Sequence, residues 1–175
     1  LIQNTSAPFI KIASMDVNNI PFLEYVAKKN KPIILSTGLS TLSEIDKAVE
    51  TIELAGCSDI IILHCVATYP PEDTEINLRN INTLSNNFPY PVGFSDHSIG
   101  PCLSLAAIAN NACLIEKHFT LDKNMEGWDH KISADFEDMK KIVEDSKRVF
   151  NALGSYRIKR TETEERVKEF RRSIV

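Results

Sequence analysis

A chain of 175 residues and 19.7 kDa is one domain or a large piece of one, and 43% hydrophobic with 25% charged residues excludes disordered, collagen-like and disulfide-scaffold classes. Twenty Lys and Arg against 24 Asp and Glu give a net charge of −4 without a basic stripe, so nucleic acid is not an expected partner. The longest mainly apolar stretch, Leu103 to Ala109, falls far short of the ~20 residues of a membrane span, so no membrane partner is expected either.

Short apolar, β-branched runs recur at Phe9 to Ala13, Pro32 to Leu35, Ile60 to Leu63, Pro91 to Phe94 and Cys113 to Ile115. Each is followed by polar residues and then by helical spacing, so the pattern predicts five strand, loop and helix units. The segment from Thr41 carries a capping box with Glu44, then Ile45, Ala48, Val49, Ile52 and Ala55, and stops at Gly56. From Asp135 the spacing predicts a second long helix with Phe136, Met139, Val143, Phe150 and Leu153 on one face and Gly154 at its end. The tail from Tyr156 is dense in Arg, Lys and Glu around a further capping box, Thr161 with Glu164, and reads as a solvated helix or a connector. Cys57, Cys65, Cys102 and Cys113 form no CxxC pair and read as small buried hydrophobes of a reducing compartment, expected to be the cytoplasm. The first residue is Leu1 and no signal-peptide layout follows, so a fragment of a longer protein is expected.

Repeated βα units imply parallel strands, as an open doubly wound sheet or a closed (β/α) barrel. The unusual polar residues decide between them, because they fall at the ends of all five strands: Lys11 and Ser14, Ser36 and Thr37, His64, Ser95 to His97, and Glu116 to His118. Ligands gather at one switch point in an open sheet, whereas in a barrel every strand end converges on one mouth. The expected fold is therefore a TIM-type (β/α) barrel, with about the last five of its eight βα units in this chain.

Lys11 interrupts a stretch that otherwise reads as a buried strand, so its ammonium must pair with a carboxylate, reach water or bind an anion. The hydroxyls of Ser14, Ser36, Thr37 and Ser95 at neighbouring strand ends would complete a phosphate or carboxylate site. His97 and His118 end consecutive strands, which stand ~4.8 Å apart when paired, close enough for both rings to hold one metal ion. Asp96, Glu116 and Asp129 are near enough in sequence to orient those rings or a water. Two nitrogen ligands in an otherwise oxygen-rich sphere suit manganese, with magnesium or cobalt as substitutes.

Five strings carry a resemblance: Phe9 to Ser14 with Asn18 to Pro21, Lys31 to Gly38, Leu63-His-Cys65 with Tyr69-Pro70, Gly93-Phe-Ser-Asp-His97, and Glu116-Lys-His-Phe-Thr120. In this order, across nearly the whole chain, they resemble the N-acetylneuraminate (sialic acid) synthase family. The resemblance implies a barrel catalytic domain, here residues 1–155, and a charged connector, residues 156–175, toward a C-terminal antifreeze-like (SAF) domain that Arg171-Arg172-Ser173 approaches. It implies a transferase that condenses phosphoenolpyruvate with an N-acylated hexosamine such as N-acetylmannosamine, giving a nine-carbon 2-keto sugar acid and phosphate, and a homodimer in the full-length form. By the same resemblance Lys11, Ser14, Ser36, Tyr69 and Ser95 hold phosphoenolpyruvate and His97 and His118 bind manganese. Asp129 lies by the metal and its water, and Asp16 occupies the place of an acid assigned to the sugar aldehyde.

The residue types fit that chemistry: a carboxylate and a phosphate need lysine and clustered hydroxyl donors, and an aldehyde needs a Lewis acid on its oxygen. Asp129, Glu116 or a metal-bound water could deliver the water that adds at C2. Two positions depart from the family pattern: Ala67 stands where many members carry Asn, and Trp128 replaces a proline. With Asp16, Trp128 points toward relatives making legionaminic or pseudaminic acid. A non-catalytic sugar- or anion-binding module of the same fold is the alternative.

Overall fold

Five parallel strands, β1 (Ile10–Ile12), β2 (Ile33–Ser36), β3 (Ile60–Cys65), β4 (Val92–Asp96) and β5 (Ile115–Lys117), lie side by side in sequence order. The structure is a computed structural model describing residues 6–171; Arg172 and Ser173, at the expected approach to a second domain, lie outside the described residues. Between the strands run α1 (Ile20–Ala27), α2 (Leu42–Leu54), the short pair α3 (Asp73–Ile76) and α4 (Asn80–Asn87), and α5 (Cys102–Ala109). After β5 come α6 (Phe136–Leu153) and α7 (Glu162–Val167). Right-handed crossovers that always add the next strand on the same side put the connecting helices α1 to α5 on one face of the sheet. A doubly wound sheet would reverse its strand order, and this one does not.

Strand alternation divides the side chains between two environments. Ile12, Ile33, Leu35, Ile60, Ile62, Val92 and Phe94 point to the helices and form the core with Leu23, Val26, Ile45, Ala48, Ile52, Ile81, Leu84 and Ala107. The opposite parity carries Lys11, Ser36, Cys65, Ser95 and Glu116, which line an open cavity. Register fixes their order: Ser36 stands beside Leu63, Cys65 beside Ser95, and Ser95 beside Glu116.

Local signals set the helix ends. Thr41 Oγ1 accepts from the Glu44 amide at 3.3 Å while Glu44 Oε2 accepts from the Thr41 amide at 2.7 Å, and Gly56, at φ +97°, follows the last turn of α2. Asp135 caps α6 through the Asp138 amide at 2.9 Å. Thr161 and Glu164 form the same box on α7, whose residues are all exposed.

Four expectations need correction. The fifth strand begins at Ile115, not Cys113, and contains Glu116 and Lys117. Helix α6 packs on α5 through the side that buries Ile142, leaving Phe136, Val143, Phe150 and Leu153 exposed, because no element among the described residues covers that side. All four cysteines are free, but only Cys57 and Cys65 are buried; Cys102 and Cys113 are exposed at the first turn of α5 and just before β5. His64, although near the end of β3, has helix-side parity and leaves the cavity: its Nε2 meets the Ile76 carbonyl at 2.6 Å, and burial lowers its pKa against the opposing effect of that bond. Among the described residues no helix is long and apolar enough to cross a membrane.

Candidate active site

The C-terminal ends of all five strands contribute to one cavity of about 540 Å³, lined by Lys11, Ser14, Ser36, Tyr69, Ser95, Glu116 and both His97 and His118, among others. Lys11 is half-buried and resolves its charge locally, with Nζ 3.5 Å from Glu116 Oε1 and donating to the Ile12 carbonyl at 2.9 Å. Ser95 donates to the same Glu116 oxygen at 2.6 Å. One carboxylate thus sits on both a cation and a hydroxyl that could serve an anionic ligand.

Ser36 differs. Its buried hydroxyl is the only buried side-chain nitrogen or oxygen among the described residues without a hydrogen-bond partner. An unsatisfied buried hydroxyl costs about 1–3 kcal/mol, and a ligand in the cavity would remove that penalty. Ser14 is engaged, accepting from the Gly38 amide at 2.8 Å and donating to Cys65 Sγ at 3.6 Å. A Cβ at position 38 would lie 2.9 Å from Ser14 Oγ and 3.2 Å from both Cys65 Sγ and Ala67 Cβ, so a larger residue there would displace the Ser14 hydroxyl.

The two histidines stand together, ring centroids 5.3 Å apart and planes at 72°. Tyr69 lies against His97 with centroids 4.2 Å apart and planes tilted by 35°, and meets His118 edge-on at 5.6 Å. His97 Nδ1 lies 2.8 Å from the Val66 carbonyl, which can only accept; Nδ1 is therefore the donor and Nε2 is the nitrogen left for a ligand. His118 Nδ1 lies 3.6 Å from Asp129 Oδ2. Burial first, and then His97, lower the His118 pKa, partly opposed by Asp129 and Glu116, so the ring is neutral at neutral pH. Burial, reinforced by Cys65, Asp129 and Glu116, raises that of Tyr69. Neutral imidazoles are the ligating form, and with a metal–nitrogen bond near 2.1 Å two rings this close can share one ion. Among the described residues no group of three or more His, Cys, Asp or Glu is assembled for a metal.

Asp129 comes from the loop after β5. That loop is tied back by the Ala134 amide to the His118 carbonyl at 2.8 Å, by the Thr120 amide to the Ala134 carbonyl at 2.9 Å, and by Thr120 Oγ1 to His130 Nδ1 at 2.7 Å. Trp128 beside it is 99% exposed. Asp16 lies in the short 3-10 turn Ser14–Asp16 and does not line the cavity. Asp96 is turned to the helix side into a buried ion pair with Lys117 at 3.0 Å, so it orients neither ring directly. Thr37 spends its hydroxyl on the Leu63 carbonyl at 2.9 Å. Cys65, read from sequence only as a core residue, lines the cavity with its sulfur 3.9 Å from His97 Nδ1; strand parity with Leu63 was the signal for it.

The model of the NeuB family matches residues 1–158. The chain is 47% identical to an uncharacterized protein of Methanocaldococcus jannaschii and 39% identical to the N,N'-diacetyllegionaminic acid synthase of Campylobacter jejuni, matching along 100% of its length in both. It spans about half the length of these curated relatives, 52% and 53%. The crystal structure of N-acetylneuraminic acid synthetase from Leptospira borgpetersenii, in complex with citrate, superposes with a TM-score of 0.87 at 36% identity, covering 94% of this chain and 57% of that one. The five parallel strands thus form a half-barrel like that of a sialic acid synthase, and the chain belongs to the NeuB family.

Proposed function

We propose that the full-length protein carrying this chain condenses phosphoenolpyruvate with the open-chain aldehyde of an N-acylated hexosamine, producing a nine-carbon 2-keto sugar acid of the sialic, legionaminic or pseudaminic class and phosphate. The supporting observation is one cavity that gathers Lys11, the unpartnered Ser36 hydroxyl and the two adjacent imidazoles of His97 and His118. The names of relatives, which include legionaminic and pseudaminic acid synthases, favour synthesis over a binding module. The proposal includes a TIM-type barrel whose last five of eight units are residues 1–155, a connector at 156–175 toward an antifreeze-like domain, a homodimer, and a cytoplasmic location.

In this reading Lys11, Ser14, Ser36, Tyr69 and Ser95 hold the carboxylate and phosphate of phosphoenolpyruvate. His97 and His118 would hold one divalent ion, manganese, with magnesium or cobalt able to replace it, and when bound it supplies Lewis acidity to the aldehyde oxygen. C3 of the enol forms the new bond to the aldehyde carbon, water adds at C2, and cleavage of the C2–O bond releases phosphate. Glu116 is the wall carboxylate for the proton lost by that water, since Ser95 and Lys11 already orient it. Asp129 stands beside the His118 ring at 3.6 Å, and Asp16, which follows the wall residue Met15 but does not itself line the cavity, is assigned to the sugar by the family resemblance alone.

The test is phosphate release from phosphoenolpyruvate by the full-length protein with manganese and a panel of N-acylated hexosamines. Release that depends on one or more of these sugars is expected. Sugar binding without release from any of them would favour the binding module.

A further inference from the structure

Beneath the two histidines, on the opposite face of the sheet, lies a buried ionic cluster that the cavity does not use. Asp96 and Lys117 are register partners on β4 and β5, each one residue before a histidine. Lys117 Nζ stands 3.0 Å from Asp96 Oδ2, with side chains 1% and 0% exposed. Asp96 Oδ1 also accepts from the Ser98 amide at 2.8 Å and from Ser98 Oγ at 2.6 Å, while Ser104 Oγ donates to Oδ2 at 2.5 Å. Lys117 further donates to the Ser98 carbonyl at 2.7 Å.

Such a pair is weak evidence for stability, because desolvating two charges offsets most of their attraction and apolar replacements of similar volume are often as stable. It does supply direction. Four donors on one carboxylate fix the end of β4, the turn that follows and the first turn of α5 relative to β5. His97 and His118 leave the sheet one peptide further on, on the other face, so any slip between the two strand ends would change the 5.3 Å between their rings.

We propose that the Asp96–Lys117 pair is a positioning element that holds His97 and His118 at the separation at which they share one divalent ion. This rests on the metal reading of the two histidines. The experiment titrates Mn²⁺ into the metal-free full-length protein by electron paramagnetic resonance, alongside thermal unfolding, for the parent, His97→Ala, the double variant Asp96→Leu/Lys117→Met, and Lys117→Arg. The expected result is one tight site in the parent, its loss in His97→Ala, and a folded double variant with near-parental melting but at least about tenfold weaker Mn²⁺ binding. Lys117→Arg keeps the charge but changes the reach, and is expected to fold and to bind Mn²⁺ several-fold more weakly; it decides the matter if the double variant does not fold. Parental Mn²⁺ affinity in either folded pair variant, while His97→Ala has lost the site, overturns the proposal and leaves the metal reading standing. A parent without a tight Mn²⁺ site, or one that His97→Ala retains, overturns both.

Discussion

Lys11 shows how a single side chain links folding to chemistry. A lysine at an inward strand position cannot join the apolar core, and here it meets Glu116 at 3.5 Å. If its task is to neutralise phosphoenolpyruvate, Lys11→Met in the full-length protein raises the phosphoenolpyruvate KM by about tenfold or more while thermal stability holds or rises. Steady-state kinetics with a melting curve check both halves, and unchanged kinetics would assign Lys11 to structure. His64 makes a different prediction. Its folded pKa lies below the ordinary 6.5 because it is buried, so the unfolded chain takes up the proton first as pH falls. Its stabilising contribution is complete above about pH 6.5 and is lost as pH drops through 6.5 toward the lower folded value. Urea midpoints at pH 7.5 and 5.5 should therefore differ more in the parent than in His64→Gln, which cannot titrate.

At the scale of elements, β4 depends on a residue with no side chain. A Cβ at Gly93 would lie 2.5 Å from the Leu114 carbonyl oxygen and 2.7 Å from Leu63 Cδ2, a clash with backbone that no rotamer relieves. Gly93→Ala is predicted to cost about 1–3 kcal/mol or more, measured by denaturant unfolding, and to loosen the β4–β5 pairing beneath the histidines. The strands and α2 were readable in advance because β-branched runs, a Thr41–Glu44 box and a terminal glycine are local signals. The convergence of Lys11, Ser36, Ser95 and both His97 and His118 was readable because every strand end carried a polar residue. What local pattern could not supply was parity: His64 and Asp96 sit near strand ends like the rest, but a one-residue alternation sends them to the helix side. Nor could it place α6, whose sequence has more than one apolar edge; which edge is buried depends on the neighbours.

For the whole molecule, the side of α6 that no described element covers has a consequence in solution. Phe136 and Phe150 are each 70% exposed, in line with Val143, on a chain that spans about half of its curated relatives. Apolar patches of this kind drive association. The isolated 175-residue chain is predicted to self-associate in light scattering at micromolar concentration, and Phe136→Lys/Phe150→Lys to reduce that association; a monodisperse monomer would contradict it. If one cavity binds phosphoenolpyruvate and uses His97 and His118 to activate the sugar aldehyde, phosphate release depends on manganese and on both rings. The measurement compares the full-length protein with His97→Ala and His118→Ala proteins shown to be folded. Both variants are expected to lose manganese binding and sugar-dependent phosphate release together, and either variant turning over as fast as the parent would overturn the metal-assisted condensation.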